Sequence, residues 1–223
     1  MEALAAIDIG SNAIRLVIGS MDEFGDIKIV KKVREPVRLG KDVFGGGEIS
    51  SKTRDKALDA FLKFRGLIKE HDVHFTKAVA TSALREAKGR DEFVSQVKKS
   101  SGIEIDVIDG IEEGRLIYSA VSQRMNLNDK VVLLIDIGGG SVELTIADHG
   151  VRKATQTFKM GTVRLLQFLE TRGLKEKHLS DVIREHAGPV KDFLATHLKG
   201  LHLDLAIGTG GNFETLGKLR VAL

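Results

Sequence analysis

A twelve-residue segment occurs twice in this chain. Ile7-Asp8-Ile9-Gly10-Ser11-Asn12-Ala13-Ile14-Arg15-Leu16-Val17-Ile18 aligns without gaps on Ile135-Asp136-Ile137-Gly138-Gly139-Gly140-Ser141-Val142-Glu143-Leu144-Thr145-Ile146, so that Asp136 follows Asp8 by 128 residues. Each copy is a β-branched run ending in Asp, then a Gly-rich turn, then a second alternating strand. That pattern predicts a β-hairpin whose tight turn holds little side-chain bulk. A hairpin alone cannot cover its apolar face. Two copies therefore predict two related domains, each built on its own sheet. The polar run Asn126-Leu127-Asn128-Asp129-Lys130 lies just before the second copy and marks the expected boundary, giving domains over 1–127 and 128–223.

Between the copies, strand patterns alternate with helical ones. Ser50 is placed to cap a helix over 51–70, with Ala57, Leu58, Phe61, Leu62, Phe64, Leu67 and Ile68 as its buried side. Short strands are expected at 77–81 and 104–108, and helices at 91–100 and 111–124. The last of these has Ile111, Leu116, Ile117, Ala120 and Val121 as core candidates. After the second copy, strands over 131–137, 142–147 and 153–158 predict a meander. Helices follow at 162–171 and 180–198, the latter disturbed at Gly188-Pro189. A strand at 204–207 then leads through Gly208-Thr209-Gly210-Gly211 into a last helix. Strands alternating with helices predict an α/β class with mixed sheets covered by helices. Gly45-Gly46-Gly47 reads as a mobile surface loop.

Composition removes several function classes. The absence of Cys excludes disulfides, thiolate metal sites and a cysteine nucleophile. A formal charge of +3, from 34 Lys and Arg against 31 Asp and Glu, gives no argument for DNA binding but permits a polyanionic ligand. The cations of Lys28-Ile29-Val30-Lys31-Lys32-Val33-Arg34 alternate with apolar residues, as on the solvated face of a strand. Neither a basic leader with an apolar run nor a span-length apolar stretch is present, so the expectation is a soluble, cytoplasmic protein without membrane association.

Four segments share one chemical theme. Gly10-Ser11-Asn12, Gly138-Gly139-Gly140-Ser141 and Gly208-Thr209-Gly210-Gly211 each follow a strand, and Thr81-Ser82-Ala83-Leu84-Arg85 follows a strand and opens a helix. Bare N–H groups in such turns suit phosphate oxygens, although each turn alone is equally a hairpin needing a positive φ. A Walker A motif is absent, and Phe213 stands where a dinucleotide fingerprint needs its third Gly. Asp8 and Asp136, at strand ends beside Gly turns, can hold a hard cation bridging to phosphate, or simply bond their own turns. Arg15 and Glu143 occupy equivalent places with opposite charge, which suggests that one half grips anion while the other manages metal or water. Glu112 and Glu113 open a helix, where acidic residues favour the helix dipole and could also act in catalysis.

At these segments, and at Glu112-Glu113-Gly114-Arg115-Leu116-Ile117-Tyr118 and Gly161-Thr162-Val163-Arg164-Leu165, the chain resembles the exopolyphosphatase/guanosine-pentaphosphate phosphatase (Ppx/GppA) family of the actin-like ATPase superfamily. The resemblance runs nearly the whole length. It implies two ribonuclease-H-like domains with mixed sheets and a cleft between them. It also implies Glu113 as general base for water attack, and Asp136 and Glu143 as ligands of Mg²⁺ (Mn²⁺ being the alternative) or positioners of the water. Phosphate contacts come from Arg85 and the loops at Gly10-Ser11-Asn12 and Gly138–Ser141. Together with the residue-level readings, the phosphate set is Gly10, Ser11, Asn12, Arg15, Ser82, Arg85, Gly138, Gly139, Gly140, Ser141, Gly210 and Gly211, and the metal set is Asp136, Glu143 and Asp8.

Two departures stand out: Ala13 replaces the family's usual hydroxyl residue, and Thr162 its usual small one. Family members continue well past Leu223, so the second domain is expected to be C-terminally incomplete, its apolar faces needing another segment or a partner chain such as a second copy in a homodimer. The expected activity is release of terminal orthophosphate from inorganic polyphosphate or guanosine pentaphosphate. The competing expectations are a non-catalytic sensor of guanosine tetraphosphate or polyphosphate and, more remotely, an actin-like or sugar-kinase ATPase.

Overall fold

Both copies of the repeat form hairpins with the same ladder. In the computed structural model, which describes residues 2–222, β1 (Glu2–Ile9) pairs antiparallel with β2 (Ile14–Met21), placing Asp8 opposite Arg15. In the second copy β6 (Val131–Ile137) pairs antiparallel with β7 (Val142–Asp148), placing Asp136 opposite Glu143. The turns close with equivalent hydrogen bonds, Gly10 N to Ala13 O at 3.1 Å and Gly138 N to Ser141 O at 3.0 Å. The chain divides into two units, Met1–Ile108 and Asp109–Leu223.

The first unit adds β3 (Ile27–Glu35) antiparallel to β2, then β4 (Phe75–Ala80) and β5 (Ile105–Val107) in parallel, for an order β3-β2-β1-β4-β5. Period-two alternation buries Ala5, Ile7 and Ile9 of β1 with Ile14, Leu16 and Ile18 of β2 on one face. Against them pack α2 (Ser51–Glu70) and α4 (Arg90–Ser101), whose Phe61, Phe64 and Phe93 are fully buried, each worth about 2 kcal/mol in burial alone. Helix α2 starts where the sequence predicts. Ser50 Oγ accepts from Thr53 N at 3.3 Å, and Asp42 Oδ2 accepts from Ser50 N and Oγ at 3.0 and 2.6 Å. Partial burial pushes the Asp42 carboxyl up, but the Ser50 and Thr53 hydrogen bonds together outweigh it and hold the group below its ordinary value. Leu62, expected inside, is instead 46% exposed because it lies off the Ala57–Phe61–Phe64 stripe. The glycine run expected to be a loop also differs. Gly45 and Gly46 end α1 (Leu39–Gly46), and Gly47, at φ 81°, caps it with an N–H to Val43 O. A five-residue helix, α3 (Ser82–Glu86), follows β4.

The second unit repeats the strand plan. β8 (Val151–Phe158) lies antiparallel to β7 and β9 (Leu205–Thr209) parallel to β6, for an order β8-β7-β6-β9. β7 is buried continuously from Val142 to Ala147 because helices cover both faces. On one side Phe193 of α8 (Gly188–His197) packs on Leu133, Leu144, Ile146 and Phe158. On the other lies α5 (Gly110–Ser122), whose Ile117, Tyr118 and Val121 meet Val132, Leu134, Leu205 and Ile207. The sequence boundary at 127/128 had assigned this helix to the first domain; the division between units falls before it, after Ile108. Ile111, expected in the core, is 59% exposed, as is Leu116 to a lesser degree, because the helix turns glycines to the sheet. α6 (Thr162–Thr171) precedes α7 (Leu179–His186), and Gly188-Pro189 does separate α7 from α8 as two helices. The chain's last described helix is α9 (Gly211–Ala222). Among the described residues no helix is long and apolar enough to cross a membrane.

Candidate active site

The face of the second sheet under α5 carries Val132, Leu134 and Asp136 on β6, Glu143 and Thr145 on β7, Thr155 and Thr157 on β8, and Thr209 on β9, as the ladders require. Helix α5 lies unusually close to it. A Cβ on Gly114 would stand 2.5 Å from Thr155 Cγ2 and 3.0 Å from Thr145 Oγ1, and one on Gly110 would stand 1.6 Å from Thr157 Oγ1. Only glycine at both positions allows this approach, and the spacing of four puts both on one helical face. Tyr118 fixes the far end by donating to Gly150 O at 2.6 Å. At the near end Asp109 caps α5, accepting from Glu112 N at 2.8 Å.

This seating separates the two glutamates of the first turn. Glu112 is forked to Arg115 by two 2.7 Å bonds, which raise the already high guanidinium pKa of Arg115. Glu113 instead meets Asp136 and Glu143, one carboxylate oxygen from each lying within 4.8 Å of the others. Glu143 is 2% exposed. Oxygen ligands of a hard divalent cation lie at about 2.0–2.6 Å from it. Three carboxylate oxygens at this spacing therefore suit one such ion, and the all-oxygen donor set excludes a preference for soft metals. Asp8, the third residue of the expected metal set, belongs to the first unit, where Arg15 Nη1 donates to its Oδ2 at 2.9 Å.

The glycine turn beside the cluster has its peptide planes set by α6. Gly138 O accepts from Thr162 N at 3.1 Å, Gly139 O from Val163 N at 2.8 Å and Arg164 N at 3.1 Å, and Gly140 O from Arg164 Nε at 2.7 Å. In a trans peptide the N–H points opposite to the C=O. The N–H groups of Gly139, Gly140 and Ser141 therefore point away from α6, the orientation an anion would need. Gly161 makes this contact feasible, since a Cβ there would sit 2.4 Å from backbone atoms of Gly140 and Ser141.

The first unit repeats the arrangement. Ser11 O accepts from Gly40 N at 2.7 Å and Asn12 O from Arg38 N at 3.1 Å, which turns the N–H groups of Asn12 and Ala13 outward. Gly10 and Gly138, both expected to contact phosphate, use their N–H groups to close their own turns. Buried Ser11 and Ser82 join through their hydroxyls at 3.0 Å, and Arg85 Nη1 donates to Ile108 O at 2.6 Å. Gly210, at φ 90°, is required by its backbone: a Cβ would lie 2.6 Å from Ile137 O and 3.3 Å from Asp136 Oδ1. Gly211 opens α9 with open space around it.

A profile of the Ppx/GppA phosphatase family matches residues 17–221. The chain belongs to that family. Among curated Ppx/GppA relatives, the guanosine-5'-triphosphate,3'-diphosphate pyrophosphatase of Photobacterium profundum is 27% identical across 98% of this chain and 44% of its own length. Exopolyphosphatase 1 of Mycobacterium leprae is 25% identical across 97% of this chain and 64% of its own. The crystal structure of an exopolyphosphatase from Cytophaga hutchinsonii superposes with a TM-score of 0.85 at 28% identity, covering 99% of this chain and 70% of that one. The chain thus spans less than two thirds of the length of these curated relatives. The two mixed sheets are those of the Ppx/GppA version of the actin-like ATPase fold.

Thr145, Thr155 and Thr157 beneath α5 were not among the expected site residues, and Thr209 was noted only as part of a glycine-rich turn. The signal for the three threonines lies in Gly110 and Gly114, four apart in a helix otherwise rich in good helix formers, which marks a close approach.

Proposed function

We propose that this chain hydrolyses terminal phosphoanhydrides, releasing orthophosphate from inorganic polyphosphate or from guanosine pentaphosphate. The convergence of Glu113, Asp136 and Glu143 within 4.8 Å carries this reading. The relatives named as an exopolyphosphatase and as a guanosine-5'-triphosphate,3'-diphosphate pyrophosphatase support it, since both names describe attack on a phosphoanhydride.

Phosphoryl transfer asks mainly for positioning and for neutralising charge on the phosphate oxygens. Mg²⁺ held by Asp136 and Glu143 would supply that neutralisation. Glu113, on the helix seated by Gly110 and Gly114, accepts the proton of the attacking water and orients it. The N–H groups of Gly139, Gly140 and Ser141 donate to phosphate oxygens at a cost already met in folding, because α6 fixes their direction. In the first unit the turn at Ser11 and Asn12, with Arg85, supplies donors of the same kind. No covalent intermediate is needed, consistent with a chain that lacks Cys. A purely binding role gains no support, since a sensor has no need of three clustered carboxylates.

The test is orthophosphate release from polyphosphate and from guanosine pentaphosphate with Mg²⁺ present, in the wild type and in Glu113→Gln. The expected result is release by the wild type and a fall of about 10²–10⁴-fold in the variant, with substrate binding kept. Full activity of Glu113→Gln removes the base assignment; absence of release by the wild type from either substrate removes the hydrolase.

A further inference from the structure

The duplicated hairpin contains a comparison within one molecule. In both sheets the repeat's Asp sits between two cross-strand neighbours. Asp8 lies opposite Arg15 on one side and Val79 on the other; Asp136 lies opposite Glu143 on one side and Thr209 on the other. In the first unit the guanidinium of Arg15 holds the carboxylate, at 2.9 Å, and the neighbour on β4 is a hydrocarbon. In the second unit a cation at the Arg15 position would neutralise the acidic cluster, and Glu143 stands there instead. The carboxylate is held from the opposite side: Thr209 Oγ1 donates to Asp136 Oδ1, and the bond is half-buried. The positive-φ turn at Gly210 brings the backbone to the same oxygen, where a Cβ would lie 3.3 Å away.

We infer that Thr209 is a positioning residue for the acidic cluster, fixing the rotation of the Asp136 carboxylate so that it and Glu143 present their oxygens to one divalent cation beside Glu113. This assigns the Thr-Gly step of Gly208-Thr209-Gly210-Gly211 to the carboxylate. A hydroxyl donor suits the task because it orients a carboxylate without cancelling its charge. It occupies one lone-pair direction of Oδ1. Hydrogen-bond partners of ligating carboxylates usually affect metal affinity by about 10–100-fold.

The inference rests on the cation-binding part of the proposed function, and the experiment separates the two. Mn²⁺ is titrated calorimetrically into the full chain, without substrate, for wild type, Thr209→Val and Thr209→Ser, with thermal melts of each. Thr209→Val installs the residue that the first copy carries at Val79 and keeps the β-branched shape. The expected result is Mn²⁺ affinity at least about 10-fold weaker in Thr209→Val, near wild type in Thr209→Ser, and melts of all three within a few degrees. Wild-type affinity in Thr209→Val overturns the inference alone, as does an equal loss in Thr209→Ser, which would trace the effect to packing of the methyl group. A wild type that takes up no Mn²⁺ overturns the cation reading and the inference together.

Discussion

Replacing Gly114 by alanine tests whether the seating of α5 sets the site. The new Cβ would lie 2.5 Å from Thr155 Cγ2 and 3.0 Å from Thr145 Oγ1. Carbon atoms in comfortable contact lie about 3.5–4.0 Å apart, so the helix must lift by roughly 1 Å or Thr155 must rotate. Rotation is resisted by the 3.0 Å bond between the Thr145 and Thr155 hydroxyls. On stability, two effects oppose each other. Alanine favours the helix by about 1 kcal/mol over glycine, while overpacking costs about 1–3 kcal/mol. The net loss of about 0–2 kcal/mol leaves a typical domain folded. The chemistry is less forgiving, because a displacement of about 1 Å can cost on the order of 100-fold in rate. Orthophosphate release with Mg²⁺ is therefore expected to fall on that order while the melting temperature drops only a few degrees. Adding Thr155→Ser removes the clashing methyl and should return most of the activity. A Gly114→Ala protein with wild-type turnover would refute the argument, as would a folded double variant that stays as slow as the single one.

Gly161→Ala should be harsher, since the three atoms nearest its Cβ are backbone of Gly140 and Ser141 at 2.4 Å, which yields less readily than a side chain; a loss of about 3 kcal/mol is expected in urea unfolding. Asp42→Asn tests the cap network ahead of α2. The Asp42 carboxyl is held below its ordinary value of 3.8, so its contribution is complete above that pH and is lost as pH falls through the lowered folded value. The melting-temperature gap between wild type and Asp42→Asn should be widest above about pH 4 and close under stronger acid. Tyr118→Phe removes the 2.6 Å bond to Gly150 O and should cost about 1 kcal/mol in thermal unfolding.

Much of this architecture was legible because it is written locally. The repeat gave the hairpins, their turns and the opposed charges of Arg15 and Glu143, all of which follow from period-two alternation and glycine chemistry. Ser50 and Gly188-Pro189 marked a helix start and a helix break for reasons confined to a few residues. What stayed hidden depends on partners distant in sequence. α5 follows directly from β5, so chain order alone placed it with the first sheet; only packing of Ile117, Tyr118 and Val121 on β6 and β9 assigns it to the second unit. Ile111 and Leu116 looked like core because apolar spacing counts side chains, whereas this helix meets its sheet first through Gly110 and Gly114, which have none, and then through Ile117, Tyr118 and Val121. Gly45-Gly46-Gly47 resembled a flexible loop until the αL cap at Gly47 gave it a structural task. Glu112 and Glu113 were indistinguishable in sequence and are told apart by Arg115, which takes one and leaves the other to the cluster.

The slot across the ladder from the hairpin aspartate works as a polarity selector. Holding a guanidinium, it pairs with the aspartate; holding a carboxylate, it gathers negative charge at the end of the hairpin. Backbone pairing of the hairpin is the same in either state, so the two halves of a duplicated scaffold can diverge in charge through side chains on the ladder, with the hairpin itself kept.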